Sequence, residues 1–463
     1  GVITLTEQVT LKTGYTVPEG VTEIDLNGQR ITITSSLEGY AITIPSGSDV
    51  LIRNGTINAV GGGILAYGDL TLGSDLKITI TGAKVNAVKA LGSELTVDGA
   101  EIDNRSGFGI VIGNSDEDNT IDSIPSKLVF NSGSVECCYF AVSTNNLYSA
   151  GCTIDINGGT FESTDSDCPA IYLPAMCEVT IDNATITGAS GIEMKMGDLT
   201  IGSGTIINAT GEYKPDYVPA PGGAGANGSA INIGAHQYGS DEGQAIDVTN
   251  LHVTIQDGAV LNSVNANSVD VFNMGLNDTD VLDVDIDIEA SVDGVRIVNN
   301  PSIENIYEVP VTIADAEKVY FDGSADVEVS GDDVTISGTP GDNASLTIMS
   351  QSDDTPINIT WKDFDDNGKT VNFVDSNGDP ADPSIVAAQT YSGNVSLGDL
   401  SITTTNPSGI LYTYDGTAKS PPVIEVTVES ERISTSGFLM VADPEATGAF
   451  QVGDQWYYWT TGV

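Results

Sequence analysis

Residues 181–186, with the sequence Ile-Asp-Asn-Ala-Thr-Ile, contain a pattern that recurs through the first 260 residues of the chain. An apolar residue is followed by four small or polar residues rich in Asn, Asp and Gly, and then by a second apolar residue. The copies begin at Ile52, Val97, Phe130, Ile156, Ile181, Ile201 and Ile255. Their first residues are 45, 33, 26, 25, 20 and 54 positions apart, so the two longest gaps look like double steps. A degenerate copy at Leu72, midway through the first gap, supports this interpretation.

A repeat of about 20–25 residues predicts a solenoid, because each coil buries its apolar face only by stacking on its neighbours. Short segments that alternate apolar and polar residues flank each copy, as in Ala41–Ile44 and Ala170–Leu173. Alternation at period two is typical of a strand with one buried face. Two or three such strands per coil, joined by Asn- and Gly-rich turns, predict an all-β chain that begins with a single-stranded parallel β-helix.

The pattern divides the chain into three parts. Residues 1–300 are predicted to form the parallel β-helix, with the Pro- and Gly-rich residues 209–229 as a loop thrown out from one coil. The period fades in residues 301–400, which are either further β-helix coils or a β-rich connecting domain. Residues 401–463 have longer strands and a C-terminal aromatic cluster, which predict a small β-sandwich.

The charge of the chain excludes two classes of partner. Its formal net charge is -49, from 16 Lys+Arg against 65 Asp+Glu. Nucleic acids and anionic membrane surfaces attract proteins through basic patches, so we expect neither as a partner. The sequence has no apolar run long enough to span a bilayer, so we also expect no membrane insertion. The chain starts with a strand-like segment and has no basic segment or apolar signal core there, so if the protein is extracellular or at the cell surface, as we expect, this is its mature form.

Five cysteines between residues 137 and 177 support the repeat. Cys152 and Cys177 each lie four residues before a copy of the pattern, so they occupy the same position in adjacent coils. Aligning the other strand of each coil matches Cys137 with Cys168. Stacked strands are about 4.8 Å apart, which suits a disulfide. We therefore expect each pair to form either a disulfide or a ladder of buried thiols, and disulfides would favour an oxidising extracellular setting.

Acidic residues at alternate positions predict a calcium site. Asp363, Asp365 and Asn367 precede a glycine, as in the first half of a calcium-binding loop, and Asp375 and Asp379 would complete the ligand set. The alternative is an acidic turn between two strands. Calcium is the only cofactor that the sequence predicts.

A second acidic run, Asp283, Asp285 and Asp287, alternates with apolar residues. Period two places all three carboxylates on one face of a strand. This face is either simply exposed to solvent or forms a cation-bridged contact with another molecule.

Candidate ligand-binding residues lie at two places. His236, Tyr213 and Tyr217 lie in or near the Pro- and Gly-rich loop. The C-terminal residues Trp456 and Trp459 are candidates for stacking on sugar rings.

The repeat resembles the right-handed parallel β-helix, or pectate-lyase-like, superfamily over roughly residues 1–300. Members include polysaccharide lyases, glycoside hydrolases, adhesins and phage tail spikes, so the resemblance implies a fold and not one function. Family hydrolases use Asn-Thr-Asp and Gly-His-Gly segments, and this chain has neither. Carboxylates such as Asp182 and Glu193 cannot be distinguished by sequence from solvated faces. The segment Tyr414–Val423 looks like one common in immunoglobulin-like repeats of bacterial surface proteins, which implies an immunoglobulin-like sandwich in residues 401–463.

We therefore expect a non-catalytic extracellular structural or adhesive protein of a cell surface, such as a surface layer, sheath, filament or adhesin. Its partners would be further copies of itself or surface polysaccharides. The first alternative is a carbohydrate-active β-helix, a lyase, hydrolase or glycan binder, with a cleft formed by residues 209–229, His236 and the neighbouring coil face. The second alternative is a phage tail or head fibre, which predicts a trimer.

Overall fold

The computed structural model shows an all-β chain, with 44 strands among the residues that it describes. These are residues 1–34, 39–115, 123–144, 149–219, 223–235, 250–264, 267–273, 283–299, 309–323, 325–331, 333–341, 344–350, 357–381, 386–397, 400–404, 426–429, 438–441, 450–452 and 455–460. Within these ranges, no helix is long and apolar enough to cross a membrane.

The first 38 strands belong to long parallel sheets, as the alternating segments predict. In chain order these strands are β1 (Val2–Thr4), β2 (Val9–Leu11), β3 (Tyr15–Thr16), β4 (Glu23–Asp25), β5 (Arg30–Ile33), β6 (Tyr40–Ile44), β7 (Asp49–Arg53), β8 (Gly55–Ala59), β9 (Gly62–Ala66), β10 (Asp69–Leu72), β11 (Leu76–Ile80), β12 (Asn86–Leu91), β13 (Glu94–Asn104), β14 (Phe108–Gly113), β15 (Lys127–Cys137), β16 (Val142–Thr144), β17 (Thr153–Ile156), β18 (Gly159–Ser163), β19 (Pro169–Leu173), β20 (Cys177–Ile181), β21 (Ala184–Gly188), β22 (Ser190–Met194), β23 (Gly197–Ile201), β24 (Ile206–Ala209), β25 (Ile231–Ala235), β26 (Asn250–Ile255), β27 (Val260–Ser263), β28 (Val269–Asn273), β29 (Asp283–Val292), β30 (Val295–Asn299), β31 (Val309–Ala316), β32 (Lys318–Asp322), β33 (Ala325–Val329), β34 (Asp333–Gly338), β35 (Ser345–Met349), β36 (Ile357–Phe364), β37 (Val371–Val374) and β38 (Val386–Ser392).

The strands stack in three parallel ladders, and each coil of the chain contributes to them in turn. The first ladder contains β1, β4, β7, β10, β13, β15, β17, β20, β23, β26, β29, β31, β33, β35 and β37. The second contains β2, β5, β8, β11, β13, β15, β18, β21, β24 and β27. The third ladder has 15 strands, from β3 through every coil to β38.

Long strands connect the first two ladders in the middle of the solenoid. Strands β13 and β15 have 11 residues each and pair in both ladders, with a register irregularity at the bend. After β27, each coil consists of one strand in the first ladder and one in the third. The two ladders continue in this way through residues 309–392.

Stacked aliphatic side chains fill the interior of the coils. Ile156, Ile181, Ile201 and Ile255 lie opposite one another in four successive coils. All four are fully buried and belong to one continuous hydrophobic core. The repeat exists because each of these residues covers the apolar surface of the next coil, as solenoid stacking requires.

The structure confirms one double step in the repeat and corrects the other. Leu72 lies opposite Ile52 and, one coil later, opposite Val97, so the 45-residue gap contains two coils. Ile255, however, pairs directly with Ile201, so the 54-residue gap is a single coil. An insertion that leaves a coil and returns to it lengthens the sequence without interrupting the ladder. The interpretation of this gap as a double step is therefore wrong.

The corners between the first and second ladders use residues with positive φ. Asn54 and Asn183 occupy equivalent corners and have φ angles of 60° and 52°. Asparagine tolerates this left-handed conformation better than most residues with a β-carbon. The Asn in the repeated pattern thus has a conformational role.

The C-terminal strands pair differently from those of the solenoid. Strands β39 (Asn394–Leu397), β40 (Leu400–Thr404) and β41 (Val426–Glu429) form one antiparallel sheet. Strands β42 (Phe438–Val441), β43 (Phe450–Val452) and β44 (Gln455–Thr460) form another. Their packing as an immunoglobulin-like sandwich stays a prediction, and Tyr414–Val423 lies outside the described residues.

Candidate functional site

Four of the five predicted calcium ligands lie on two separate turns, and Asp363 lies in strand β36. Asp365 Oδ1 accepts a hydrogen bond from the Asn367 backbone N–H at 3.0 Å, whereas Asp375 Oδ1 accepts two from its own turn, including one from Asp379 at 2.9 Å. Asp363 Oδ1 instead accepts one from the backbone of Asn394 at 3.1 Å. Across the described ranges, no three His, Cys, Asp or Glu side chains form a cluster that could hold a metal ion. Calcium binding by these residues stays a prediction.

One cysteine pair has the predicted register, and the other does not. Thr153 pairs with Glu178, which places the preceding residues Cys152 and Cys177 next to each other. Both are buried, and contact with the Cys152 thiol together with burial raises the pKa of Cys177. Cys137 lies opposite Ser163 instead of Cys168, so the alignment of these two cysteines is wrong.

All five cysteines are free thiols in the structure, and disulfide formation stays a prediction. Burial raises the pKa of Cys168 to about 12. Thiolates are the reactive form of cysteine, so this group is a poor nucleophile at neutral pH.

The acidic run on β29 has its carboxylates on the outer face of the first ladder. Asp283 and Asp285 are exposed, Asp287 is half-buried, and the residues between them are buried, which confirms the predicted alternation. The neighbouring strand places His252 opposite Asp285. His252 Nδ1 lies 2.9 Å from Asp198 Oδ1, and its Nε2 lies 3.4 Å from Asp283 Oδ2.

The side chains of three predicted ligand-binding residues, His236, Trp456 and Trp459, are not among those that the structure describes. His236 lies outside the described residues. Trp456 and Trp459 are in β44, where the structure describes the backbone pairing alone. Their ligand binding stays a prediction.

A row of polar side chains runs across the outer face of the third ladder. Strand pairing aligns Tyr172, Glu193, Asn232, Asp270, Arg296 and Tyr320, one from each of six successive coils. Outward-facing residues of a strand normally contact water. The middle four are nevertheless buried, with exposed fractions between 0% and 7%.

A segment that we call the strap covers this row. It comprises residues 211–219 and 223–228, which belong to the insertion between β24 and β25. Tyr217 of the strap packs edge-on against Phe272, with ring centroids 5.9 Å apart, and also contacts Val298. The predicted loop therefore lies against the coils, and both tyrosines expected to bind a ligand take part in holding it there.

Glu193 and Lys195 form the first charged contact beneath the strap. Lys195 Nζ lies 3.8 Å from Glu193 Oε1 and donates a hydrogen bond to the carbonyl of Gly223 at 2.6 Å. Glu193 accepts hydrogen bonds from the Gly225 backbone N–H at 2.9 Å and from the Tyr217 hydroxyl at 3.4 Å. Tyr172 also donates to Gly223, at 2.9 Å.

Burial changes the protonation of this pair. It raises the pKa of Glu193 to about 7, although the charge of Lys195 acts in the opposite direction. Burial also lowers the pKa of Lys195, and it raises that of Tyr217 beside the carboxylate. A carboxyl group with a pKa near neutrality can act as a proton donor or acceptor at physiological pH.

Asp270 and Arg296 form the second charged contact. Arg296 Nη1 lies 3.6 Å from Asp270 Oδ2, and the guanidinium donates to the Tyr213 hydroxyl at 3.1 Å and the Pro215 carbonyl at 2.6 Å. The amide of Asn227 donates to Asp270. Burial raises the pKa of Asp270 to about 6, against the opposing effect of Arg296.

Asn232 lies in the row between the two carboxyl groups. Its amide nitrogen donates to Ser190 Oγ at 3.3 Å. Its buried Oδ1 atom has no hydrogen-bond partner among the described residues. Buried polar atoms normally have a partner, so this oxygen is suited to accept a hydrogen bond from water or a ligand.

An open groove of about 600 Å³ lies beside the strap. Its lining is polar and acidic, and the strap contributes residues to its edge. The lining residues are Glu162, Ser163, Thr164, Asp165, Ser166, Asp167, Thr187, Ala189, Thr210, Gly211, Glu212 and Lys214. Lys214 Nζ lies 2.6 Å from Asp167 Oδ1, and this exposed ion pair joins the strap to the opposite side of the groove.

The sequence did not identify Lys195, Asp270 or Arg296 as members of a site. A charged residue at a polar position of an alternating strand is expected in solvent, and fully buried charges are rare. Their burial depends on a strap that comes from elsewhere in the chain. The proximity of a Pro- and Gly-rich insertion to Glu193 was the one available signal.

No protein-family model, curated protein or solved structure matches this chain.

Proposed function

We propose that this protein is a non-catalytic structural or adhesive component of a cell surface, which self-associates through its acidic outer faces. The third ladder supports this proposal. It stacks 15 strands, which at about 4.8 Å per strand extends roughly 70 Å. A long, regular scaffold of this kind presents the same surface in coil after coil.

The observation that carries the proposal is a column of outward-facing polar residues on the first ladder, three of which are acidic. Strand pairing aligns Glu178, Asp198, His252 and Asp285 in four successive coils. Asp283 adds an exposed carboxylate beside His252. Two such columns from separate copies repel each other, whereas divalent cations bound between carboxylates would join them. Self-association is therefore expected to depend on calcium or a similar cation.

Negative-stain electron microscopy and light scattering of the purified protein, in calcium and then in EDTA, test this proposal. Filaments or sheets that dissolve in EDTA would support it. Asp283→Asn with Asp285→Asn should weaken assembly, whereas Glu7→Gln with Glu19→Gln, which removes two exposed carboxylates away from the column, is the matched control. A monodisperse monomer that is indifferent to calcium would contradict the proposal, and a discrete trimer would support a viral fibre instead.

A carbohydrate-active protein is the second candidate, favoured by the acidic groove and by Glu193 with its pKa near neutrality. Carboxylates accept hydrogen bonds from sugar hydroxyls, and glycoside hydrolysis uses a carboxyl group with a raised pKa as the acid. A panel of soluble polysaccharides would be screened for binding and for the release of reducing ends. Activity that Glu193→Gln abolishes and Glu178→Gln leaves intact would establish this function.

The same proposal includes two features of the fold and one of location. The solenoid belongs to the right-handed, pectate-lyase-like class, the C-terminal sheets have an immunoglobulin-like arrangement, and the protein is extracellular. The stacked aliphatic core and the Asn corners support the first of these. A crystal structure would test the class and the C-terminal arrangement together.

A further inference from the structure

Buried charged groups attach much of the strap to the solenoid, and neutral hydrogen bonds of Asn227 and Gly228 with Ser190 attach its end. Lys195 and Glu193 bond to its backbone at Gly223 and Gly225. Arg296 donates hydrogen bonds to the first part of the strap, residues 211–219, at the Tyr213 hydroxyl and the Pro215 carbonyl. The apolar part of the contact is small, with Tyr217 against Phe272 and Val298.

Closing the strap removes water from four charged groups at once. Burying a charge is costly unless pairing and hydrogen bonds replace its hydration. The two ion pairs have separations of 3.8 Å and 3.6 Å, which are long for hydrogen-bonded charges. Pairing therefore compensates only in part for the lost hydration of the carboxylates.

We propose that the strap is a pH-controlled cover, which closes over the third ladder when Glu193 and Asp270 are protonated and opens when both are ionised. Opening uncovers the row from Tyr172 to Tyr320, with Asn232 Oδ1 at its centre. The face that the closed strap hides then becomes accessible to solvent and to other molecules.

The direction of the pH dependence follows from the pKa of each carboxyl group. In the closed state burial raises the pKa of Glu193 from its ordinary 4.5 to about 7, and that of Asp270 from 3.8 to about 6. The open state returns both groups to water. The closed state therefore binds more protons, and it loses stability relative to the open state as the pH rises above the ordinary values towards 7.

Other titratable or charged groups near Glu193 and Asp270 belong to the neighbouring strands and to the strap. In the described residues, Lys195, Tyr172 and the strap's Tyr217 surround Glu193. Arg296 and the strap's Tyr213 face Asp270, and Tyr320 lies opposite Arg296 in the next coil. Burial raises the pKa of both strap tyrosines, so they stay neutral below pH 8.

Hydrogen–deuterium exchange of the wild-type protein at pH 5 and pH 8, corrected for the intrinsic exchange rates, tests the proposal. For each carboxyl group, every pH unit between its pKa in the open state and its pKa in the closed state changes the equilibrium constant for strap opening by up to about tenfold. We expect protection of amides in residues 212–219 and 223–228 to fall by about 100-fold or more between pH 5 and pH 8. Protection in the core strand Cys177–Ile181 serves as the internal reference and should change little.

Two sets of variants separate this mechanism from general loosening. Glu193→Gln with Asp270→Asn removes both titrations, so protection of the strap should be the same at pH 5 and pH 8, at the level that the buried Lys195 and Arg296 allow. The control Asp167→Asn removes the exposed ion pair with Lys214 and should retain the wild-type pH dependence. Equal strap protection at both pH values in the wild type would overturn the proposal without any variant. A pH dependence that persists in the double variant would also overturn it.

Discussion

At the scale of single residues, the unusual feature is the burial of two carboxylates, a lysine and an arginine outside the apolar core. Replacing one member of such a pair leaves the other charge buried and without compensation. Asp270 is the clearest case, because it is fully buried and Arg296 is the cation that faces it. The stability of the protein should therefore depend on the protonation of this one group.

We expect Arg296→Met to lower the free energy of unfolding at pH 8 by at most about 3–5 kcal/mol, the usual effect of breaking a buried ion pair, because opening of the strap can return the ionised Asp270 to water. The loss should be smaller at pH 5, because burial raises the pKa of Asp270 to about 6 and the folded state then holds it protonated. Urea denaturation at both pH values measures the difference.

Arg105→Met is the matched control for this substitution. Arg105 also pairs with a carboxylate, at 2.7 Å from Glu136, but its side chain is 65% exposed. Exposed ion pairs contribute at most about 1 kcal/mol, so this variant should be nearly neutral at both pH values. Equal losses for the two arginine variants would show that Asp270 is not isolated from solvent.

At the scale of elements, the corner turn fixes how the first ladder leads into the second. The corner at Asn183 has φ of 52°, and the residues on either side of it belong to strands that must keep their register with adjacent coils. For a residue with a β-carbon, this left-handed backbone conformation costs about 1–2 kcal/mol of free energy, whereas glycine adopts it without this cost.

We expect Asn183→Ala to be less stable than Asn183→Gly by about 1 kcal/mol, measured by urea denaturation. Both variants lose the asparagine side chain, so the comparison isolates the backbone conformation. Asn157 lies at the corner of the preceding coil without a positive φ. At Asn157 the alanine variant should be at least as stable as the glycine variant. If alanine is less stable than glycine at both corners, the conformational role of Asn183 is refuted.

At the scale of the whole molecule, charge repulsion opposes the compact state. A net charge of -49 is spread over 463 residues. Raising the ionic strength from 0.01 to 1 M shortens the screening length from about 30 Å to about 3 Å. Repulsion between exposed carboxylates of neighbouring coils, such as Asp49 and Asp69, should then be weaker.

We expect the midpoint temperature of unfolding at pH 8 to rise with NaCl over this range, as measured by differential scanning calorimetry. The control is the same titration near the isoelectric point of about 4.1, where repulsion is smallest and the effect of salt should nearly vanish. An increase of equal size at both pH values would assign the effect to something other than charge repulsion.

The sequence by itself determined the all-β class, the parallel stacking and the inward or outward direction of most side chains. Alternation at period two and the spacing of the apolar residues are local properties, and successive coils repeat them. Ile181 and Asp285 illustrate this, since each lies on the face that its neighbours in the sequence predict.

The tertiary structure alone decided that the step from Ile201 to Ile255 is one coil, and that Glu193, Lys195, Asp270 and Arg296 are buried. The length of an insertion does not show whether it contains another coil. The environment of an outward-facing residue depends on what lies over it, and here the strap arrives from a different coil. Such contacts between distant parts of the chain have no signature in a local pattern of apolar and polar residues.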